Sequence, residues 1–416
     1  MLDADATNSA LFRAKFLIRI LLPAALILLS FSVSWFSVRA AIADLLYRAD
    51  TPESVGRAAK LEPGNAAYHA LLAEHEEGNG QDPMPELLCA IELSPLDSLN
   101  LMRAAVREES QRNYRPAEQF LKRAAAVDNK LVPRMALMNY YFRQGDEKNF
   151  WVWFNRSLQM SQPEDTRGIF RMAWEQSPNP EAIFTHVPDS KNMLGRYLSF
   201  LIDTQRLELA APVALRFAAL ADPADVRLPL EYCTRALAVD SASTVQVWNL
   251  LSRRKLIPFP PLDSKNGDFV GNPDFLASAK PLGFDWIFPS VDGVFVSPSE
   301  EQHGVSIHLA GSEPEDCVVL QQPVALLSGK TYQLNYEYSS DSDQPVRGLR
   351  WELVNPGGDT AVSPDLTAGS AWKPGQLTFT AHGNYGELRL RYQRPAGTVR
   401  AEGTIVIRKL TDQLVK

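Results

Sequence analysis

The sequence predicts a multidomain protein: one transmembrane helix, then an all-α array of repeated helical hairpins, then an all-β sandwich. Three observations predict it. Residues 20–38 are uncharged and strongly apolar. The next two hundred residues are rich in Ala, Leu, Glu and Arg, at helical spacing and with internal repetition. Beyond residue 262, Gly, Pro, Ser and Asp clusters separate short runs of alternating polarity. The expected boundaries are a short N-terminus (1–19), a span (20–38), a helical domain (50–257), a Pro-rich linker (258–265) and a β-domain (266–416).

The span comes first. Its 19 residues lie between Arg19 and Arg39, and as a helix they cover about 28 Å, close to the hydrocarbon thickness of a bilayer. Leu21, Leu22, Leu26, Ile27, Leu28, Leu29 and Phe31 make it apolar on every side, and Trp35 and Phe36 sit near its far end, where aromatics favour the interface. Arg13, Lys15 and Arg19 precede it, while Arg39 and Arg48 are diluted by Asp44 and Asp50. That bias predicts a cytoplasmic N-terminus and an exported body, hence a single-pass protein of the inner membrane with its bulk in the periplasm or outside the cell. Ala41-Ile42-Ala43 resembles a signal-peptidase site, but the apolar run is longer than a signal-peptide core and Arg39 intrudes, so an uncleaved anchor is expected.

In the helical stretch, Ala58-Ala59-Lys60-Leu61-Glu62-Pro63 is echoed by Ala90-Ile91-Glu92-Leu93-Ser94-Pro95, then by Arg123-Ala124-Ala125-Ala126-Val127-Asp128 and Arg235-Ala236-Leu237-Ala238-Val239-Asp240. A new amphipathic helix follows each, over 66–73, 98–106, 132–142 and 244–253. Pro63 and Pro95 end their helices, because proline has no N–H to donate. Gln144-Gly145-Asp146 marks a turn within one hairpin. Residues 147–225 keep the helical period without a clear repeat. Phe150, Trp151, Trp153 and Phe154 form an aromatic cluster that fits an inter-helix core better than a groove, with Trp151 and Trp153 the residues a partner would meet if it is a groove. Cys89 and Cys233 fall on second helices and read as small buried apolar residues. Arg253-Arg254-Lys255 reads as a solvated last turn.

The period near 34 residues and the small–large–small triplet Ala117, Leu121, Ala124 resemble the tetratricopeptide repeat. The early aromatic and glycine of that family are mostly missing here. The resemblance covers about half of the chain and implies a curved solenoid of four to six hairpins that holds a protein partner.

In the β-domain, strands are expected at 304–309, 317–324, 331–339, 348–354, 376–381, 387–393 and 403–409. Their number suits two packed antiparallel sheets. Asn266-Gly267-Asp268-Phe269 opens the domain, followed by Gly283-Phe284-Asp285-Trp286, Gln321-Gln322-Pro323-Val324, Ser328-Gly329-Lys330-Thr331-Tyr332, Trp372, Leu388-Arg389-Leu390-Arg391-Tyr392 and a closing Gly403-Thr404-Ile405-Val406-Ile407. This order is similar to carbohydrate-binding modules and galactose-binding-like domains, which implies a jelly-roll sandwich able to take a glycan. Alternation places His308, Gln333, Asn335, Glu337, Arg350, Glu352, Arg389 and Arg391 on polar strand faces. On one sheet they would form a stripe of amides, carboxylates and guanidiniums suited to vicinal hydroxyls, or an ordinary solvated face of cross-strand ion pairs. Trp286, Trp351 and Trp372 read as core or edge packing. Asp268, Asp341 and Asp343 are oxygen donors of the kind a structural calcium uses, but no dense ligand loop surrounds them and no metal site is assigned.

Composition narrows the function classes. The net charge of −7 argues against a nucleic-acid binder, and 45% apolar residues suffice for folded cores. Three widely spaced cysteines build neither a disulfide framework nor a Cys-rich zinc site. No phosphate-loop, dinucleotide or nucleophile-elbow motif occurs, and no cofactor is implied. Glycoside cleavage needs two carboxylates across a cleft, and adjacent Glu300 and Glu301 do not supply them. The sequence therefore predicts a non-catalytic adaptor with a protein partner, a polysaccharide partner and a membrane anchor, in exopolysaccharide or cell-envelope assembly. A scaffold with no sugar ligand is the alternative, and a glycan-active hydrolase, with a carboxylate pair formed only in the fold, is the third reading.

Overall fold

In the computed structural model the described residues are 3–276, 281–299, 301–341, 347–367 and 369–415, with the side chains of 3–22 and 24 excluded. Asp343 and Glu300, and the side chains of Arg13, Lys15, Arg19, Leu21 and Leu22, thus lie outside the described residues. Among those described, fourteen α-helices precede nine β-strands, and the strands form two antiparallel sheets. The fold is an all-α region followed by an all-β sandwich. The chain divides into two compact units, Met1–Gln162 and Pro163–Lys416.

The first unit begins with α1 (Asp3–Arg48), one continuous helix whose stretch Ala25–Arg48 is long and apolar enough to cross a membrane. Its apolar side chains are bare, from Leu26 at 55% exposed to Phe31 at 71%. Its last turns behave differently. Ala43 is buried, Leu46 and Tyr47 pack with Ala58, Ala59 and Tyr68, and Arg39 Nε donates to Glu62 Oε1 at 3.0 Å. The end of α1 is thereby the first packing partner of α2 (Pro52–Leu61).

Hairpins follow: α3 (Ala66–Gly78) with α4 (Met84–Leu93), α5 (Ser98–Ser110) with α6 (Tyr114–Val127), and α7 (Leu131–Gln144) with α8 (Glu147–Met160). Their first helices start 32 and 33 residues apart, as the repetition predicts. Asn65, Asp97 and Asp146 cap helix N-termini through their side chains. Gly145, at φ 68°, ends α7 in the left-handed conformation that costs glycine least. Ala58, Ala73, Ala90, Ala104, Ala117 and Ala124 are wholly buried, and that smallness lets paired helices approach closely. Cys89 corrects the expectation: it is exposed, on the outer side of α4, because burial there goes to Leu87, Ala90 and Ile91.

The second unit starts with α9 (Thr166–Gln176), α10 (Pro180–His186), α11 (Lys191–Asp203), α12 (Leu207–Leu220), α13 (Arg227–Ala236) and α14 (Ser241–Arg253). Arg254 donates to the carbonyls of Ala218 and Ala221 and so caps the end of α12. The Pro-rich segment after α14 is stapled down. Trp248 stacks on Phe259 and meets Phe284 edge-on, its indole N–H donates to the Pro260 carbonyl, and Asn249 bonds both backbone groups of Leu262 at 2.7 Å.

The sandwich contains β1 (Val294–Ser299), β2 (Gly304–Ala310), β3 (Asp316–Ala325), β4 (Thr331–Ser340), β5 (Leu349–Val354), β6 (Thr360–Val362), β7 (Gly369–Thr380), β8 (Tyr385–Gln393) and β9 (Glu402–Leu414). One sheet has the order β1-β2-β9-β4-β7 and the other β3-β8-β5-β6. All seven expected strands are present. β1 and β6 were not read from the sequence, since Ser297-Pro298-Ser299 looks like a turn and β6 is only three residues long. The inner faces meet in one core that includes Ile307, Leu334, Tyr336, Ile405 and Ile407 from the first sheet and Leu320, Leu349, Trp351, Leu388 and Leu390 from the second. Trp286 and Trp351 belong to this core, 5.7 Å apart.

Candidate functional site

The eight polar residues that would form one stripe if their strands shared a sheet are divided between two sheets. His308, Gln333, Asn335 and Glu337 lie on β2 and β4 of the five-stranded sheet; Arg350, Glu352, Arg389 and Arg391 lie on β5 and β8 of the four-stranded sheet. The core separates the two sets. Alternation assigns each side chain a face of its own strand, but not the sheet that strand joins.

On the four-stranded sheet the charges satisfy one another. Glu352, only 2% exposed, accepts from Arg350 Nε at 3.2 Å and Arg391 Nη1 at 3.4 Å. Arg391 also grips Asp316, Arg350 bonds Gln393, and Arg389 reaches Glu387 at 2.6 Å. The Arg391 guanidinium holds the Asp316 carboxyl below the usual carboxylate range. Such a network ties β3, β5 and β8 together and leaves few groups turned to a ligand.

The five-stranded sheet presents a different outer face. On β4, Gln333, Asn335 and Glu337 alternate with buried Tyr332, Leu334, Tyr336 and Tyr338. β7 faces them with Thr378 and Gln376, while β9 faces them with Gln413, Thr411 and Arg408. The amides interlock: Gln333 Nε2 donates to Asn335 Oδ1 at 2.7 Å and Gln376 Oε1 at 3.2 Å, and Gln413 Nε2 donates to Gln333 Oε1 at 3.4 Å.

A bulge sets the charged centre of this face. Between Asn335 and Glu337 the β4–β9 register slips, and Lys409 takes a positive φ of 54°. Consecutive residues of a regular strand point to opposite faces, but here Arg408 and Lys409 both reach Glu337, at 3.0 Å each. Lys409 and then Arg408 hold the Glu337 carboxyl below its ordinary range. It is therefore a standing acceptor rather than a proton donor. The Arg408 guanidinium lies 3.6 Å from the centre of the half-buried Trp372 ring. Beside them a depression of about 590 Å³ runs over β4 and β7, lined by Asn335, Glu337, Gln376, Lys409, Thr411 and Asp365.

At the other edge Phe295 is 63% exposed and 6.1 Å from His308, which sits 3.4 Å from Thr404 Oγ1. Thr404 lies four residues before Arg408 on β9, so His308 is about 13 Å along the strand from the Glu337 cluster. The structure joins Gln333, Asn335 and Glu337 and leaves His308 apart. Sequence reading missed Phe295, Gln376, Arg408, Lys409, Thr411 and Gln413. The alternation of Thr404, Val406 and Arg408 against Ile405 and Ile407 could have flagged Arg408; the bulge that adds Lys409 has no such signal.

Trp151 corrects the groove expectation. It is 5% exposed, packs edge-on against Phe150 and Phe154, and donates from Nε1 to Glu147. Only Trp153 of that pair reaches the surface, under Arg156 at 4.5 Å. Of the calcium candidates, Asp341 accepts from the Thr404 N–H at one end of β9, and Asp268 follows Gly267, which abuts Leu414 at the other end. Among the described residues no three His, Cys, Asp or Glu side chains converge on a metal-sized site.

No family model and no curated protein matches the chain. Solved structures resemble it at low identity. A carbohydrate-binding module of family 4 covers 35% of this chain and 99% of its own, at 15% identity and TM-score 0.28. The N-terminal cellulose-binding domain of Cellulomonas fimi β-1,4-glucanase C covers 35% and 97%, at 16% identity and TM-score 0.25. Pseudomonas aeruginosa PilF covers 53% and 91%, at 14% identity and TM-score 0.23.

Proposed function

We propose that this protein is a membrane-anchored, non-catalytic adaptor of the cell envelope that takes a glycan on the outer face of its five-stranded sheet and a protein partner on its helical hairpins. The single observation that carries the glycan reading is the face around Glu337. The Glu337 carboxylate, the Lys409 ammonium and the amides of Asn335 and Gln376 border one depression, and Arg408, stacked on the half-buried Trp372 indole, holds Glu337 from beside it. Amide and carboxylate oxygens accept from sugar hydroxyls, amide and guanidinium N–H groups donate to hydroxyl oxygens, and an aromatic ring covers a sugar's apolar face. A carboxylate held ionised by two cations is suited to accepting hydrogen bonds and unsuited to acid catalysis.

The bare apolar length of α1 supports the anchor, as lipid would cover what no protein group does. Burial of Ala43 in a packed helix supports an uncleaved anchor, with both folded parts on the periplasmic side of the inner membrane. Such an arrangement suits exopolysaccharide or envelope assembly. The test is retention of the detergent-solubilised full-length chain on polysaccharide affinity gels, native against Glu337→Gln and Trp372→Ala. Retention by the native chain alone is expected. Failure of the native chain to bind any polysaccharide would sink the glycan half and leave a protein scaffold.

A further inference from the structure

The second unit carries a cationic pocket that the glycan reading does not use. On α9, Arg167, Arg171 and Trp174 are spaced by four and three residues, so they share one helix face. Across from them α11 ends at Asp203, and Gln205 adopts a left-handed φ of 58° that turns the chain back. The reversal lays the Arg206 guanidinium over the Trp174 ring, 4.2 Å from its centre. Together with Glu175 and Thr204 these residues line a pocket of about 330 Å³.

Its charge is unbalanced. Among the described residues none of Arg167, Arg171 and Arg206 meets a carboxylate, whereas Arg216, Arg235, Arg391 and Arg394 in the same unit each do. Three guanidiniums against the one Glu175 carboxylate leave two positive charges, in a chain whose net charge is −7. The floor is aromatic: Trp174 is 8% exposed, and Phe200 closes the side. A guanidinium pinned on an aromatic ring keeps its N–H fork free and partly stripped of water, the state in which it pairs best with a planar oxyanion.

We propose that this pocket binds an acidic peptide segment through two carboxylates. Two net charges match two carboxylates, and forked N–H pairs match each one's geometry. The aromatic floor suits the methylenes that carry a Glu or Asp carboxylate, and the small volume suits a short segment rather than a long polymer. The proposal rests on the reading that the helical part holds a protein partner and names that partner's chemistry; it is independent of the glycan face.

The test measures fluorescence anisotropy of a labelled hexaglutamate peptide with the full-length chain at low and high salt. Binding that weakens as salt rises is expected. The double variant Arg171→Gln/Arg206→Gln should lose at least tenfold in affinity, and Arg206→Lys, which keeps charge but not the fork, should lose part of it. Arg216→Gln removes one positive charge from a paired site outside the pocket and should bind as the native chain does. All three substituted side chains, Arg171, Arg206 and Arg216, are exposed, so circular dichroism should show unchanged folding. Native affinity in the double variant, an equal loss in Arg216→Gln, or no binding of the peptide would overturn the proposal. So would tighter binding of inorganic phosphate or of a uronic-acid oligomer. Polysaccharide retention by the same samples reports on the glycan face separately, so either half can fail alone.

Discussion

Asp412 sits on β9 between Thr411 and Gln413 and holds the entrance of the sandwich to its last strand. Its Oδ2 accepts the backbone N–H of Phe269 and, at 2.7 Å, that of Val270. Two effects oppose each other there. Burial pushes the carboxyl up to about 6, the two N–H donors pull it down, and the charge of Asp268 adds to the rise. An unfolded Asp titrates near ~3.9. The folded form therefore holds its proton more tightly, so this group's stabilisation is complete below about pH 4 and is lost as pH rises through about 6. A difference of about two pKa units corresponds to about 3 kcal/mol. Asp412→Asn removes the titration and keeps an acceptor for the backbone. The unfolding free energy of the variant minus that of the native chain should rise by about 3 kcal/mol between pH 4 and pH 7. Urea unfolding followed by near-ultraviolet circular dichroism at stepped pH measures it. A flat difference would refute the reasoning, and a falling one would mean that the two N–H donors outweigh burial.

Other substitutions test the packing that shapes the site. A Cβ added at Gly375 would lie 2.2 Å from the Tyr336 ring, so Gly375→Ala should cost about 1–3 kcal/mol and lower the melting temperature; an unchanged melting temperature would show that β7 yields there. Trp351→Ala empties a fully buried site and should cost roughly 3–5 kcal/mol, whereas Trp372→Ala should reduce polysaccharide retention with little loss of stability. Thiol labelling of the native chain, read by mass spectrometry, should modify exposed Cys89 quickly and buried Cys233 only after denaturation. Burial also pushes the Cys233 thiol up, which keeps the reactive thiolate scarce. Equal labelling of the two would contradict the packing of α13.

The helical hairpins were legible because their signal is local. A helix closes its hydrogen bonds within a few residues, so alanines at Ala58, Ala90 and Ala124, with prolines and Asx caps at the ends, state where each helix runs and which face it buries. Alternation in β4, β5 and β8 likewise stated which side chains point inward, and Leu334, Trp351 and Leu390 are all in the core. Trp153 could be told from Trp151 only in the fold, because both sit on α8 and only the packed neighbours decide which is covered.

The sequence by itself determined the order of the parts: an apolar helix, paired helices of a fixed period, then strands with one apolar face each. Each of those properties depends on neighbours a few residues away. Only the tertiary structure decided that β4 and β9 are adjacent, that Arg350 and Arg391 lie behind the core from Glu337, and that a bulge brings Arg408 and Lys409 to one carboxylate. Strand partners are chosen by contacts far apart in the chain, and a shift of one residue exchanges the faces of a strand, so no local pattern carries that information.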